Sequence, residues 1–293
     1  MRLRHQFYDL NSAKICLFSR LPRPFQTGEA TALMKIATWN INGVKARIDT
    51  VLEWLKEASP DVACLQEIKS VDENFPRQPF EDLGYAVETH GQKGFNGVAL
   101  LSKTPLDDIQ RGLPGNDADE QARYIEARLA TEKGPVRIGC LYLPNGNPLG
   151  TEKFSYKLEW MDRLITHAQK RLEEETPFLL LGDYNVIPDP VDAKNPQNWL
   201  EDALFQPESR QRFRALTHLG LTEAVRSCTE APETFTFWDY QAGAWQKNNG
   251  IRIDHILMSP QATDRFSGCG IDKHVRGWEK PSDHVPVWVK LAA

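Results

Sequence analysis

The sequence predicts an α/β fold in which two mixed β-sheets pack on each other and are flanked by helices. Three observations predict it. The chain has 293 residues and is 41% hydrophobic, enough for one large core in a single domain. From Lys35 onward, short β-branched or apolar runs alternate with longer stretches of helical periodicity. Within each half, successive strand-like runs are often separated by hairpin-length gaps, which calls for mixed rather than purely parallel sheets.

Taken in order, KIATWNI (35–41) is the first predicted strand. A helix over 46–58 follows, with Ile48, Val51, Leu52 and Leu55 on one face and Ser59-Pro60 to stop it. DVACLQE (61–67), YAVET (85–89), GVALLSK (97–103), YIEARLA (124–130) and VRIGCLYL (136–143) are predicted strands. The strongest helix runs over 151–174, where Phe154, Leu158, Met161, Leu164, Ile165 and Leu172 form an apolar stripe. FLLLGDYN (178–185) has the composition of a buried strand. Two helical patterns, 199–205 and 208–219, precede the strand-like TFTFWDY (234–240), IRIDHILMS (251–259) and HVPVWVKL (284–291).

A formal net charge of −5 argues against a protein that coats nucleic acid through bulk positive charge, so any DNA-binding face must be a local patch. Cys16, Cys64, Cys140, Cys228 and Cys269 are odd in number and have no zinc-ligand spacing, which fits a reducing cytoplasm. No apolar stretch reaches the roughly 20 residues of a membrane span. Residues 1–33 are basic and interrupted by proline, and their apolar ICLF is shorter than the ~7–15 residues of a signal core. They are read as a poorly structured extension or as sequence upstream of a start at Met34, and 34–293 as one catalytic domain.

The functional signal is where the polar residues fall. Apolar runs end on Asn40 and Asn42, on Glu67, on Tyr142 and Asn145, on Asp183 and Asn185, and on Asp254. Residues two apart on a strand share a face, so Asn40 with Asn42, and Asp183 with Asn185, can each point into one cleft. A single carboxylate at a strand end is most simply a loop cap. Glu67, Asp183, Asp254 and Asp283 together, with amides and His284, ask for shared chemistry. Like charges gathered in one cleft repel unless a cation or proton offsets them, and an oxygen-rich set without clustered Cys or His favours Mg2+ or Mn2+ over zinc.

The same segments resemble a family. TWNINGVKAR (38–47), DVACLQEIK (61–69), YLPNG (142–146), LLLGDYNVIP, the stretch from TFTFWDY to IRIDHIL, and KPSDHVPV (280–287) look like the signature blocks of exonuclease III and its apurinic/apyrimidinic (AP) endonuclease relatives. The resemblance runs from about Met34 to the C-terminus. It implies a four-layer, DNase I-like α/β sandwich of the endonuclease/exonuclease/phosphatase superfamily. The implied activity is magnesium-dependent cleavage of duplex DNA 5′ to abasic sites, with 3′–5′ exonuclease and 3′-end-cleaning activity, in DNA repair. The implied partner is double-stranded DNA with abasic sites or blocked 3′ ends, bound by a monomer.

Carried over motif by motif, Glu67 would bind the metal with Asn40 and Asp283 nearby. Asp183 would activate or orient the attacking water, helped by Asn185. His284, oriented by Asp254, would contact the scissile phosphate, which Tyr142 and Asn145 would hold, with Asn42 also on the substrate side. Phe237, Ile251 and Ile253 would wall an apolar pocket for a base-less sugar, while Trp238 fits pocket or core equally. Arg210, Arg212 and Arg214 fit either DNA contacts or a solvated helix face and are left outside the site. The superfamily core also serves phosphatases and lipid phosphodiesterases, and a DNA-binding module that has lost its chemistry is a further alternative, against which the complete acidic set argues.

Overall fold

The computed structural model describes residues 32–293, so the expectation for the N-terminal extension falls almost wholly outside the described residues. Among the described residues, twelve strands form two six-stranded sheets. The first sheet holds β1 (Leu33–Asn40), β2 (Val62–Gln66), β3 (Ala86–His90), β4 (Val98–Ser102), β11 (Phe266–Ile271) and β12 (Val287–Ala292), in the order β11-β12-β1-β2-β4-β3. The second holds β5 (Leu106–Arg111), β6 (Tyr124–Leu129), β7 (Val136–Tyr142), β8 (Phe178–Asp183), β9 (Thr222–Glu223) and β10 (Asp254–Met258), in the order β5-β6-β7-β8-β10-β9. Each sheet has one parallel pair, β1 with β2 and β7 with β8, and is otherwise antiparallel. The predicted mixed sheets are therefore present.

Period-two alternation builds the layers. On β8, Leu179 and Leu181 join the cluster between the sheets that also holds Ile36, Cys64 and Leu100, while Phe178 and Leu180 join the cluster on the other face with Trp160 and Leu164. The outer face of the first sheet is covered by α1 (Val44–Ala58) through Val51, Trp54 and Leu55, with the one-turn α2 (Gln78–Glu81) nearby. The outer face of the second is covered by α3 (Glu152–Leu172) through Trp160, Met161 and Leu164, and by α4 (Pro207–His218) through Phe213 and Leu216. Two short helices, α5 (Ala224–Cys228) and α6 (Pro260–Thr263), complete the chain. The result is a four-layer helix–sheet–sheet–helix sandwich. Among the described residues, no helix is long and apolar enough to cross a membrane.

Three expectations are corrected. The 199–205 segment is not a helix: a 3-10 turn at Pro196–Trp199 leads into turns fixed by the Asp202 carboxylate, which accepts from Leu204 N at 2.9 Å and from Asn147 Nδ2 at 3.0 Å. TFTFWDY joins neither sheet. It is an extended staple whose Phe237 exchanges both backbone hydrogen bonds with Ile251 and forms a bridge with His284. Asp254 opens β10 rather than closing a strand. That register sets it directly opposite Asp183.

Candidate active site

Both parallel pairs end at the same edge of the sandwich, so the carboxyl ends of β1, β2, β7 and β8 deliver Asn40, Glu67, Tyr142 and Asp183 together. Ligands of α/β sheets commonly lie outside such strand ends. The close fit of β7 on β8 depends on Gly182, since a Cβ there would lie 1.9 Å from the Leu141 carbonyl oxygen. Asp254 and His284 arrive from the antiparallel side, and the TFTFWDY staple holds the two segments against each other, Val285 N donating to Thr236 O at 2.9 Å.

The chain leaves the strands through left-handed residues: Glu67 (φ 51°), Asn42 (φ 48°) and Asn185 (φ 46°) all have positive φ, which is costly without a glycine and concentrates at functional sites. The strand-alternation argument for the two Asn/Asp pairs is therefore corrected. Asn42 and Asn185 lie beyond the strand ends, where their backbone N–H groups donate to Asn40 Oδ1 (3.0 Å) and Asp183 Oδ1 (2.8 Å). Short side-chain turns, not sheet pleat, aim these residues.

A cleft of about 360 Å³ opens at this edge, and Glu67, Tyr142, Asn145, Asp183, Asn185, Phe237, Ile253, Asp283 and His284 line it. The remaining predicted residues stand behind it. Asn40 is fully buried, and its Nδ2 donates to Glu67 Oε1 at 2.9 Å and Asp183 Oδ2 at 3.0 Å. With its Oδ1 accepting from the N–H of Asn42, Asn40 bridges the two carboxylates through its Nδ2. Asn42 Nδ2 donates to Asp283 Oδ1 at 3.1 Å. Ile251 is buried in an apolar cluster with Ile187, Ala193 and Phe205 and does not reach the cleft, so it is removed from the predicted pocket wall. Trp199 and Leu204 stand there instead. Trp238 is core, packed edge-on against Phe235 and Trp245.

At the floor of the cleft, His284 Nδ1 lies 2.9 Å from Asp254 Oδ2, and its Nε2 lies 3.7 Å from Asp183 Oδ2. Thr236 Oγ1 donates to Asp254 Oδ2 at 2.6 Å and in turn receives the N–H of Asp254 at 3.1 Å. The ligating atoms of Asp183, Asp254 and His284 all fall within 4.8 Å of one another. Burial alone would strip the charge from His284, but Asp254 and Asp183 lift its pKa to about 10, so the ring is an imidazolium at neutral pH. Burial, reinforced by Asp254 and opposed by His284, raises Asp183 to about 7. Glu67 is held below the usual carboxylate range: burial opposes its charge, but hydrogen bonds from Asn40 and Lys69 outweigh it. Burial and the carboxylates of Glu67 and Asp183 push the Tyr142 phenol well up, so it stays a neutral donor.

Sequence reasoning missed Thr236, Lys69, Asn147, Trp199, Asp202, Leu204 and Asp239. Lys69, whose Nζ is 2.9 Å from Glu67 Oε2, lay inside the DVACLQEIK block and was legible as a basic residue two positions from an acid. Trp199, Asp202 and Leu204 carried no signal, because the turn that presents them reads as helix.

The Endonuclease/Exonuclease/phosphatase family pattern matches residues 37–284. The chain is 38% identical to "Exodeoxyribonuclease III" of Haemophilus influenzae over 88% of its own length and 100% of that protein. Among solved structures it superposes on an AP endonuclease from Archaeoglobus fulgidus with a TM-score of 0.84 and 34% identity, covering 89% of this chain and 100% of that one. The 3′ phosphatase NExo from Neisseria, bound to a product DNA hairpin, matches at a TM-score of 0.84 and 34% identity over 88% of this chain and 99% of that one. With the sandwich, the strand-end acids and these likenesses in agreement, the chain belongs to the endonuclease/exonuclease/phosphatase family, in its exonuclease III and AP endonuclease branch.

Proposed function

We propose that this protein is a magnesium-dependent DNA-repair nuclease that hydrolyses the phosphodiester 5′ to an abasic site, leaving a 3′-hydroxyl, and clears blocked 3′ ends. The observation that carries the reading is Asp183, a buried carboxylate held between the cationic His284 and the Asn40 amide at the floor of a cleft with apolar walls. The relatives' names, an exodeoxyribonuclease, an AP endonuclease and a 3′ phosphatase, point to the same chemistry.

Hydrolysis needs a positioned water, compensation of charge on the phosphoryl oxygens and a stabilised leaving oxygen. Asp183 supplies the first: buried at the cleft floor, with burial raising its affinity for a proton, it orients the attacking water or takes up its proton. His284 supplies positive charge from the floor, and Asp254 keeps it protonated and oriented. Tyr142 donates its phenolic hydrogen. Asn185 gives one amide hydrogen to Leu143 O at 3.0 Å, which leaves the other for a phosphate oxygen, and Asn145 Nδ2 fixes it by donating to Asn185 Oδ1 at 3.1 Å.

Glu67 and Asp283 present carboxylate oxygens to the cleft, a hard donor set that fits Mg2+ or Mn2+, with Asn40 and Asn42 holding them from behind. A metal held there would supply Lewis acidity to the phosphoryl group. The tighter Asp183–Asp254–His284 group is assigned to catalysis instead, because Asp254 is wholly buried and already engaged by His284 and Thr236. For selectivity, a nucleotide without its base has no stacking to lose on leaving the duplex. Phe237 and Ile253, joined by Trp199 and Leu204, form walls suited to a bare deoxyribose.

Action as a monomer in the cytoplasm completes the reading, and the free cysteines among the described residues, Cys64, Cys140, Cys228 and Cys269, fit a reducing compartment. The test is a nicking assay on a duplex with one abasic site, with Mg2+ and with EDTA. Incision 5′ to the site in Mg2+ alone supports the proposal, and its absence, with phosphatase or lipid phosphodiesterase activity in its place, overturns it.

A further inference from the structure

Lys157 of α3 is fully buried beneath the cleft. Its Nζ donates to the carbonyl oxygen of Asn145 at 3.0 Å and to that of Asn185 at 2.6 Å. Those residues are far apart in sequence, one in the YLPNG loop and one after GDY, and their side-chain amides meet directly at the cleft. One Nζ thus ties together the backbones of two residues that face the phosphate. Burial costs it much of its affinity for a proton, pulling its pKa down to about 7 against the attraction of Asp183 and Asp202. A neutral side chain of similar length would fill the same space without that cost, so packing alone does not call for a lysine here.

The surrounding backbone is shaped to the side chain. Gly146 has φ +89°, and a Cβ on it would come within 2.6 Å of Lys157 Cδ and 3.1 Å of the Ala203 Cβ. Asn185 is itself left-handed, at φ 46°, a conformation that persists only where its surroundings enforce it. The hydrogen bond from the buried Lys157 Nζ to its carbonyl is one such constraint.

We propose that Lys157 is a positioning residue for phosphodiester cleavage: by joining the Asn145 and Asn185 carbonyls it fixes the amide pair against the scissile phosphate. The inference rests on cleavage at this cleft, not on a particular lesion, so it is tested on an abasic duplex or a 3′-recessed duplex, whichever the wild-type protein cuts. Wild-type protein that cuts neither fails the proposed function and this inference with it.

The experiment is a double-mutant cycle on the single-turnover rate with Lys157→Met, Asn185→Ala and the double variant, with DNA affinity measured in EDTA and thermal melting recorded for each. A misplacement of about 1 Å can cost up to ~100-fold, so Lys157→Met should slow cleavage at least ~10-fold with DNA affinity nearly unchanged. In the Asn185→Ala background the same substitution should cost several-fold less than in the wild type, because one of the two groups it positions is gone. Additive losses would overturn this inference and leave the proposed function standing. Should Lys157→Met not fold, Lys157→Gln is read in the same cycle, and failure of both to fold would assign the lysine to stability alone and overturn its positioning role.

Discussion

Replacing Asp254 by asparagine keeps the shape of the group beneath His284 but removes the charge that most strongly holds the ring protonated. In the wild-type protein burial works against the imidazolium, and Asp254 with Asp183 carries its pKa to about 10. Without the Asp254 charge, the pKa should fall back toward the ordinary value of ~6.5. The sign follows: a raised pKa means the cation is present at low pH and lost as pH rises through the new value. At pH 8 a ring with a pKa of ~6.5 is ~3% protonated, a deficit of ~30-fold against a wild type still almost fully charged, whereas at pH 6 it is ~75% protonated and the deficit nearly vanishes. The assay is single-turnover incision of an abasic duplex in Mg2+, each rate divided by the wild-type rate at the same pH, with the His284 ring titrated by NMR. A deficit of equal size at pH 6 and pH 8, or an unmoved His284 titration, would refute the view that Asp254 acts by holding the charge on His284.

Other substitutions separate the remaining roles. Asp183→Asn should lower the single-turnover rate at least ~100-fold while leaving DNA affinity nearly intact, and an affinity loss large enough to explain the defect would remove Asp183 from the chemical step. Glu67→Ala should raise the Mg2+ concentration needed for half-maximal rate, since it removes a cleft-facing carboxylate; an unchanged metal titration would place the cation elsewhere. Phe237→Ala should lower the ratio of abasic to undamaged cleavage ~10-fold or more, together with some loss of rate because the ring packs 4.9 Å from that of His284. Ile251→Val, behind the cleft, should leave that ratio alone and cost only melting temperature. Away from the site, burial disfavours the charge on Glu126, but His167, Tyr124 and Arg171 hold its pKa down to about 2, so the stability it contributes is full above pH 4.5 and lost as pH falls toward 2. Glu126→Gln should therefore destabilise the fold at pH 7 by ~3 kcal/mol and flatten its acid melting curve over that window, as denaturant titrations at several pH values would register.

Most strands and the two long helices were legible because their signals are local: the continuous apolar runs of β1, β2 and β8, buried on both faces, and the apolar stripe of α3 are written in consecutive residues. Glu67 and Asp183 were legible for the same reason, since a polar residue that closes an apolar run marks where the backbone leaves the sheet. The elements that were missed lack such a run. The edge strand β5 (LDDIQR) alternates weakly and is half exposed, and β11 (FSGCGI) carries two glycines. Sequence alone thus determined the sandwich and the chemical types around its cleft. Tertiary structure decided which of those groups face the cleft and which support them. Asn40 turns its donor, not its oxygen, to the acids, Ile251 gives its place in the wall to Trp199 and Leu204, and Lys157 rises from α3 to join two loops. Each of these depends on contacts between segments tens to hundreds of residues apart, and no pattern within a single segment records which distant backbone will pack against it.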